Sequence, residues 1–177
     1  MATRNILKDG DATLLKKSRT VTDFNERLHV LLDDMRQTLI EANGLGLAAP
    51  QVGVLRRVAL VVDTSIEKIL PEDQITELVN PEIVEQSGEQ TDVEGCLSVP
   101  EVFGMVTRPD FVKVRAQDRN GNVFEFSGEA LTARALCHEL DHLDGVLFKA
   151  HVEKLLTEED LQELYAERAK NDGEPTR

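Results

Sequence analysis

Residues 131–148 read LTARALCHELDHLDGVLF, and this stretch decides the fold because it combines a buried helix with chemically reactive side chains. At about 100° per residue, His138 and His142 lie roughly 40° apart around a helix axis and one turn apart along it. Glu139 falls roughly 60° beyond His142. Two imidazoles and one carboxylate therefore converge on one side of the helix.

The H-E-x-x-H spacing is typical of metal-assisted hydrolysis. Neutral imidazoles bind a divalent ion, the ion acidifies a water molecule, and a flanking carboxylate takes the proton as that water attacks a carbonyl. A merely solvated helix face is the alternative interpretation. The apolar neighbours Leu131, Ala135, Leu136 and Leu140 argue against it, because histidines and acids in a core are costly unless a metal and hydrogen bonds satisfy them.

A catalytic zinc or iron site usually takes three protein ligands and keeps one position open for water. Cys96 is a candidate, since it lies in E-G-C-L-S at residues 94–98, where glycine permits a turn that brings the thiol to another element. Cys137 adjoins His138, so its side chain points about 100° away and suits a small buried apolar position. A disulfide between the two cysteines is disfavoured, because residues 1–10 show no secretory signal.

An upstream segment, G-L-G-L-A-A-P-Q at residues 44–51, has two interpretations. Gly44, Gly46 and Ala49 match the dinucleotide-binding pattern G-x-G-x-x-A. That pattern needs a preceding strand and a following helix, whereas this segment follows a predicted helix and contains a proline. We favour the other interpretation, in which glycine-rich backbone lies along an extended ligand while the Gln51 amide faces a developing oxyanion.

These three segments, in this order, resemble the three signature motifs of the peptide deformylases. H-E-x-x-H alone recurs across unrelated metallohydrolases, but the ordered triple with a single cysteine ligand is highly specific. The similarity covers residues 40–150 well. It implies an enzyme that removes the formyl group from N-formylmethionyl peptides emerging from translation and releases formate.

The resemblance also implies a role for each matching residue. One divalent ion, preferably Fe2+, would bind Cys96, His138 and His142 with water as the fourth ligand, although the same donors suit Zn2+, Ni2+ or Co2+. Glu139 would act as general base and then as general acid. Four residues would contact the substrate, with Gln51 and the Leu97 backbone N–H at the oxyanion and Leu45 and Gly46 paired with the substrate backbone.

Some residues near these motifs keep two interpretations. Leu45, Leu131 and Ala135 can line an apolar pocket for the methionine side chain, or they can be ordinary core residues. The charged residues next to the ligands either orient them through hydrogen bonds or form plain ion pairs, and this group comprises Glu94, Arg108 and Asp141. His29 and His151 are predicted to be surface or capping residues.

Periodicity predicts an α+β fold, with mostly antiparallel strands around a central metal-binding helix and with helices near both ends. Helices are predicted at 21–42, at 129–142 and from Thr157 onwards. Strands are predicted near 57–62, 76–85, 101–107, 111–117 and 122–127, and Asn120-Gly121 marks a hairpin between the last two. One catalytic domain would span residues 1–170, followed by a disordered tail at 171–177.

Composition restricts the partners. The chain of 177 residues is 41% hydrophobic and can bury a substantial core, yet it has no apolar run of the roughly 20 residues that a membrane span needs. A net charge of −13 argues against general nucleic-acid affinity. We expect a cytoplasmic protein, or an organellar one if a transit peptide has been removed. Ribosome contact would be transient, because residues 153–177, basic in some bacterial relatives, contain eight acids and four bases.

Three functional classes are open to test. A deformylase would release formate from formylated peptides. A metalloendopeptidase would cleave internal amide bonds, but peptidases with this motif generally use His or Glu where this chain offers Cys96. A noncatalytic binding module would use the ion only to stabilise its fold.

Overall fold

The computed structural model describes residues 2–66 and 71–171 and has an α+β fold, as predicted. Its helices are α1 (Glu26–Ala42), α2 (Ala130–Leu143) and α3 (Glu158–Asn171). Its strands are β1 (Gly46–Ala48), β2 (Val58–Val62), β3 (Ile75–Ser87), β4 (Gln90–Cys96), β5 (Val99–Arg108), β6 (Phe111–Gln117), β7 (Val123–Glu129) and β8 (Val152–Leu156). Short 3-10 helices occupy Ala12–Leu15, Ala49–Val52, Pro71–Gln74 and Phe148–His151.

The strands form two antiparallel sheets that surround α2. One sheet has the order β1-β2-β3-β6-β7, and the other has the order β4-β5-β8. Helix α2 contacts β1, β2, β6 and β7 of the first sheet and β5 of the second. Helix α2, which carries two of the predicted metal ligands, is therefore central, as the sequence predicted.

Helix α2 is buried on nearly every side. Its apolar residues Ala133, Leu136 and Leu140 pack in a cluster with Leu78 and Val114 of the larger sheet. The helix ends before Gly145, whose φ of +76° favours glycine, and a Cβ there would lie 2.6 Å from a backbone oxygen of the N-terminal region. Polar side chains on this helix consequently lie inside the protein, where they need partners.

The predicted hairpin between β6 and β7 is confirmed, with a longer loop than two residues. Gln117 pairs with Val123, so five residues form the connection. The Asp118 carboxylate organises it by accepting hydrogen bonds from the backbone N–H groups of Asn120 and Asn122 at 2.8 and 2.9 Å. The aspartate side chain thus holds a loop that the Asn-Gly pair alone does not define.

Several element boundaries differ from the predictions. Strands β1, β4 and β8 were not predicted, because they are short or lack a clear apolar alternation. Helix α1 begins at Glu26 rather than at residue 21, since the Asn25 side chain accepts hydrogen bonds from the next backbone N–H groups and starts the helix there. Apart from Asn171, the predicted disordered tail lies outside the described residues. Among the helices of the described residues, none is long and apolar enough to cross a membrane.

Glu77 on β3 ties α1 and the β6–β7 loop to the larger sheet. Its carboxylate accepts hydrogen bonds from Arg36 on α1 at 2.9 Å and from Arg119 in the loop at 2.6 and 3.0 Å. Burial alone would raise the pKa of Glu77, but the hydrogen bonds and charges of Arg119 and Arg36 outweigh it and lower the pKa. The charged form of this carboxylate therefore stabilises the fold.

We predict that Glu77→Gln makes the protein less stable at neutral pH and less sensitive to acid. Because the folded-state pKa of Glu77 is lowered, its contribution is fully present above the ordinary value of 4.5 and is lost as pH falls below it. Glu77→Gln should cost about 1 to 3 kcal/mol of unfolding free energy at pH 7. Denaturant unfolding at pH 7, 5 and 3 measures the difference, which should shrink with falling pH.

The matched control for this prediction is Glu85→Gln. Glu85 lies on the same strand, and its more exposed side chain pairs with Lys113 at 3.0 Å. Such a surface ion pair contributes little, so its loss should change the unfolding free energy by less than about 1 kcal/mol. A Glu77→Gln deficit that stays constant from pH 7 to pH 3 would contradict the assignment.

Candidate metal centre

The three predicted metal ligands come from two elements and lie close together. The sulfur of Cys96, at the end of β4, lies 3.3 Å from Nε2 of His142 on α2. One ligand atom each from Cys96, His138 and His142 lies within 4.8 Å of the other two. With metal bonds of about 2.0 to 2.3 Å, ligands of a tetrahedral ion are roughly 3.5 Å apart. The spacing of this thiol and these two imidazoles therefore fits a divalent ion.

Cys137, the other candidate thiol, lies elsewhere. It is buried in the apolar cluster between α2 and the larger sheet, and both cysteines are free thiols. Burial raises the pKa of Cys137 to about 11, which keeps the thiol protonated. The helical geometry that turned this side chain away from His138 thus correctly predicted a core residue.

The electrostatic surroundings of His138 favour a cation. Burial alone would lower the pKa of His138, but its hydrogen bonds with Cys96 and Glu94 outweigh burial and raise it to about 10. Burial lowers the pKa of His142 to about 3 and keeps that imidazole neutral. Metal binding requires both ligand nitrogens to be deprotonated, so an ion bound here would displace the proton that His138 otherwise holds.

Glu94 orients the imidazole of His138 through its Nδ1. Its Oε1 lies 2.7 Å from Nδ1 of His138, so a proton on Nδ1 leaves Nε2 as the ligand atom. Burial alone would raise the pKa of Glu94, but the hydrogen bonds from His138 and Arg108 outweigh it and lower the pKa to about 2. Glu94 therefore contacts a predicted ligand directly, in addition to forming ion pairs.

Two arginines hold the Glu94 carboxylate. Arg108 donates to it from Nε at 3.2 Å and from its terminal nitrogen at 2.7 Å, and it also donates to Asp141 at 2.7 Å. Arg134 donates to Glu94 at 2.9 Å and to the carbonyl of Val106 at 2.9 Å. All these groups except Asp141 are buried, so the charges compensate one another inside the protein.

Arg134 and one contact of a histidine were not predicted from the sequence. Arg134 lies four residues before His138 on a helix predicted to be buried, and a buried arginine needs a carboxylate partner. That requirement could have drawn attention to it. The exposed His151 lies 3.1 Å from Asp141, and nothing in its local sequence indicates this contact.

Glu139 is buried beside the predicted ligands and has an unpaired oxygen. Glu139 is only 3% exposed, and its Oε2 has no hydrogen-bond partner among the described residues. Burial raises the pKa of Glu139 to about 7. A carboxyl group with this pKa can take up and return a proton near neutral pH.

Gly46 lies against the side chain of Glu139. A Cβ at Gly46 would overlap the side chain of Glu139, which would then have to shift. Glycine at this position therefore lets Glu139 keep its place beside the predicted ligands.

Gln51 lies close to the three ligands. Its Nε2 donates to the hydroxyl of Ser98 at 3.1 Å and lies 3.7 Å from the sulfur of Cys96. Its Oε1 accepts from the backbone N–H of Ala48 at 2.9 Å, which fixes which end of the amide faces the site. Leu97 follows Cys96 in the two-residue turn between the paired residues Cys96 and Val99. Amide donors from two segments thus lie near one centre.

A cleft of about 530 Å³ opens in front of His138 and Glu139. Its apolar lining includes Leu45 and Leu131, which are 41% and 43% exposed and are therefore not core residues. The remaining predicted lining residues are Gly46, Cys96, Leu97 and Ala135. The contribution of β5 was not predicted from the sequence: its Phe103 lines the cleft and packs against Gly95. The cleft offers a largely apolar surface next to the predicted metal ligands.

The chain is similar to known proteins over most of its length. Residues 3–158 match the family model described as polypeptide deformylase. A peptide deformylase of Caldicellulosiruptor bescii is 53% identical over 163 residues, or 92% of this chain and 93% of that protein. Peptide deformylase 1 of Bacillus subtilis is 47% identical over 164 residues, or 93% of this chain and 99% of that protein.

Solved structures agree with the sequence comparison. The peptide deformylase of Thermotoga maritima has a TM-score of 0.79 and 34% identity and covers 86% of this chain and 99% of its own. The peptide deformylase of Legionella pneumophila has a TM-score of 0.78 and 38% identity, with 98% and 100% covered. The similarity therefore extends from the motifs to the complete arrangement of helices and strands.

We predict that the two cysteines differ in their effect on metal content. Cys96→Ala removes one of three ligands and should lower the bound metal from about one ion per chain to well below half. Cys137→Ala is the matched control, because this thiol is buried in the apolar cluster, and it should retain the ion. Elemental analysis of protein purified under anaerobic conditions measures both. Equal metal content in the two variants would contradict the assignment of Cys96.

Proposed function

The chain belongs to the polypeptide deformylase family, and on that premise we propose how its own residues carry out the reaction. The protein is a hydrolase that removes the N-formyl group from newly made peptides and releases formate. The observation that carries the assignment of residues is that one thiol and two imidazoles meet beside an apolar cleft, which is also lined by Glu139, a carboxyl group with one oxygen unpaired among the described residues. Residues 1–170 would form the single catalytic domain.

Cys96, His138 and His142 hold one divalent ion in this proposal. The family resemblance favours Fe2+, whereas the sulfur and nitrogen donors themselves also suit Zn2+, Ni2+ or Co2+. When bound, the ion supplies Lewis acidity toward water and toward the formyl oxygen. Glu94 keeps His138 in the orientation and protonation state that a ligand needs, which its contact at 2.7 Å supports.

Glu139 is the proposed general base and general acid. Its buried carboxylate takes a proton from the attacking water and later gives a proton to the amine that leaves as the new peptide amino terminus. Burial, which raises its pKa to about 7, makes both transfers accessible near neutral pH. A bound cation would favour the carboxylate form and so prepare the base before the substrate arrives.

Gln51 and the backbone N–H of Leu97 are the proposed oxyanion donors. The Gln51 side chain is only 1% exposed and is fixed at both ends, by Ala48 at its oxygen and by Ser98 at its nitrogen. Fixed donors cost little reorganisation when negative charge develops on the formyl oxygen. One such donor is typically worth about 3 to 4 kcal/mol of activation free energy.

The substrate backbone is proposed to lie along Leu45 and Gly46 as an added strand. Strand β1 forms one edge of the larger sheet, so it can pair with a peptide through main-chain hydrogen bonds that do not depend on downstream side chains. The methionine side chain would contact Leu131 and Ala135, which line the same cleft. This arrangement suits peptides that all begin with methionine and differ in the residues that follow.

The cellular setting is also a proposal. Relatives of this chain come from bacteria, which supports a cytoplasmic site of action close to translation. Contact with the ribosome would be transient, because residues 153–177 carry more acids than bases and so repel the phosphates of ribosomal RNA.

The reaction class is tested with a formyl-Met tripeptide and its unformylated counterpart. We predict that metal-loaded protein under anaerobic conditions releases formate from the first peptide and leaves every internal amide bond of both peptides intact. Formate is measured enzymatically and the peptides by mass spectrometry. Cleavage within the unformylated peptide would instead identify a metalloendopeptidase, and the absence of both reactions in metal-loaded protein would favour a noncatalytic module.

We predict that Glu139→Gln retains the ion and loses turnover. The substitution keeps the shape of the side chain but removes its ability to accept a proton, so kcat should fall by about 100-fold to 10,000-fold. Glu101→Gln is the matched control, because Glu101 is an exposed cleft residue outside the proposed machinery. Formate release and metal content are measured on the same samples. A Glu139→Gln variant with nearly full activity would exclude the role proposed for this carboxylate.

A further inference from the structure

An N-terminal strap, residues 7–9, joins the two segments that carry the proposed oxyanion donors. The backbone N–H of Leu7 donates to the carbonyl of Gln51 at 2.7 Å. The Nζ of Lys8 donates to the carbonyl of Leu97 at 2.7 Å, and the backbone N–H of Asp9 donates to the carbonyl of Ser98 at 2.8 Å. Successive residues of the strap therefore bind both donor segments.

The strap is itself anchored on both sides. The carboxylate of Asp9 forms an ion pair with Lys149 next to β8. Toward the N-terminus, the backbone N–H of Ala2 donates to Asp34 on α1 at 2.8 Å, and Arg4 forms an ion pair with the same carboxylate at 2.9 Å. Contacts with two distant parts of the molecule thus fix the position from which Lys8 reaches Leu97.

The bond from Lys8 acts on a central residue of a turn. Leu97 and Ser98 are the two central residues between the paired residues Cys96 and Val99. The hydrogen bond within such a turn joins its first and last residues, so it leaves the groups of the central residues to other partners. Lys8 and Asp9 bind the carbonyls of both central residues. Lys8 and Asp9 therefore hold the two peptide units that follow the Leu97 N–H, and so they support the turn in which that N–H lies.

We propose that Lys8 is a positioning residue for catalysis, which fixes the Leu97 turn so that its backbone N–H faces the formyl oxygen in the transition state. This inference rests on the proposed function of Leu97. A hydrogen bond from an ammonium group is shorter and stronger than one between neutral groups, so one lysine can hold a turn that is 89 residues distant in sequence. Lys8 also lines the cleft, so a direct contact with substrate is the competing explanation.

The kinetic test compares Lys8→Met, Lys8→Arg and wild type on a formyl-Met tripeptide. Lys8→Met keeps a long apolar stem but cannot donate, and we expect kcat to fall by about tenfold to a hundredfold, on the scale of a misplaced reacting contact. KM and metal content should change by less than about twofold. Lys8→Arg keeps a cationic donor and should recover most of kcat. Lys16→Met, a change at an exposed lysine outside the cleft lining, should resemble wild type.

A second measurement does not depend on turnover. Amide hydrogen exchange of residues 97–99 should become faster in Lys8→Met and return toward the wild-type rate in Lys8→Arg, because the turn loses and regains its external support. The unfolding midpoint should stay near that of wild type, since the lost contact is exposed. Unchanged exchange in Lys8→Met would overturn the proposal even if activity were altered.

The remaining outcomes also separate the explanations. An unchanged kcat, a rise in KM alone, or a loss of kcat that follows loss of metal would each overturn a positioning role for Lys8. Absence of formate release by wild type would contradict the proposed function itself. In that case the exchange measurement still decides whether Lys8 orders the turn.

Discussion

The buried carboxylate of Glu94 is the interaction on which the rest of the site depends. It lies on β4, two residues before Cys96, and it bonds to His138 and Arg134 on α2 and to Arg108 on β5. The same contacts that pair its charge therefore dock the strand that carries the thiol against the helix that carries the imidazoles. A distant cysteine meets two histidines because a charged anchor lies between the two elements.

A single carboxylate with two arginines is a costly arrangement for a protein interior. The free-energy cost of desolvating three charges offsets much of their mutual attraction. The cluster therefore adds little net stability compared with apolar packing. It does specify geometry, because the planar guanidinium of Arg108 contacts both oxygens of Glu94 and also Asp141 on α2. An apolar contact at this place would leave Nδ1 of His138 without a partner and its ligand nitrogen undefined. The charges are retained where orientation matters more than stability.

The elements that could be predicted from the sequence are those determined by residues close together in the chain. The position of α2 and the convergence of its two histidines follow from helical periodicity, and the β6–β7 hairpin follows from alternation around a turn. Strands β1, β4 and β8 have no such pattern, since their pairing is determined by partners far away in sequence. For the same reason, contacts of Arg134 and Lys8 could not be deduced from neighbouring residues. The cleft position of Leu131 likewise became evident only from its exposure.

The proposed reaction groups differ in how they are held, and this division has a physical consequence. The proposed proton-transfer group Glu139 and two of the proposed ligands belong to one buried helix, so the helix itself fixes their mutual geometry. The proposed oxyanion donors, Gln51 and Leu97, lie in a short 3-10 helix and a turn, and hydrogen bonds from the strap hold both. Changes in the strap should therefore alter oxyanion stabilisation while leaving metal binding intact.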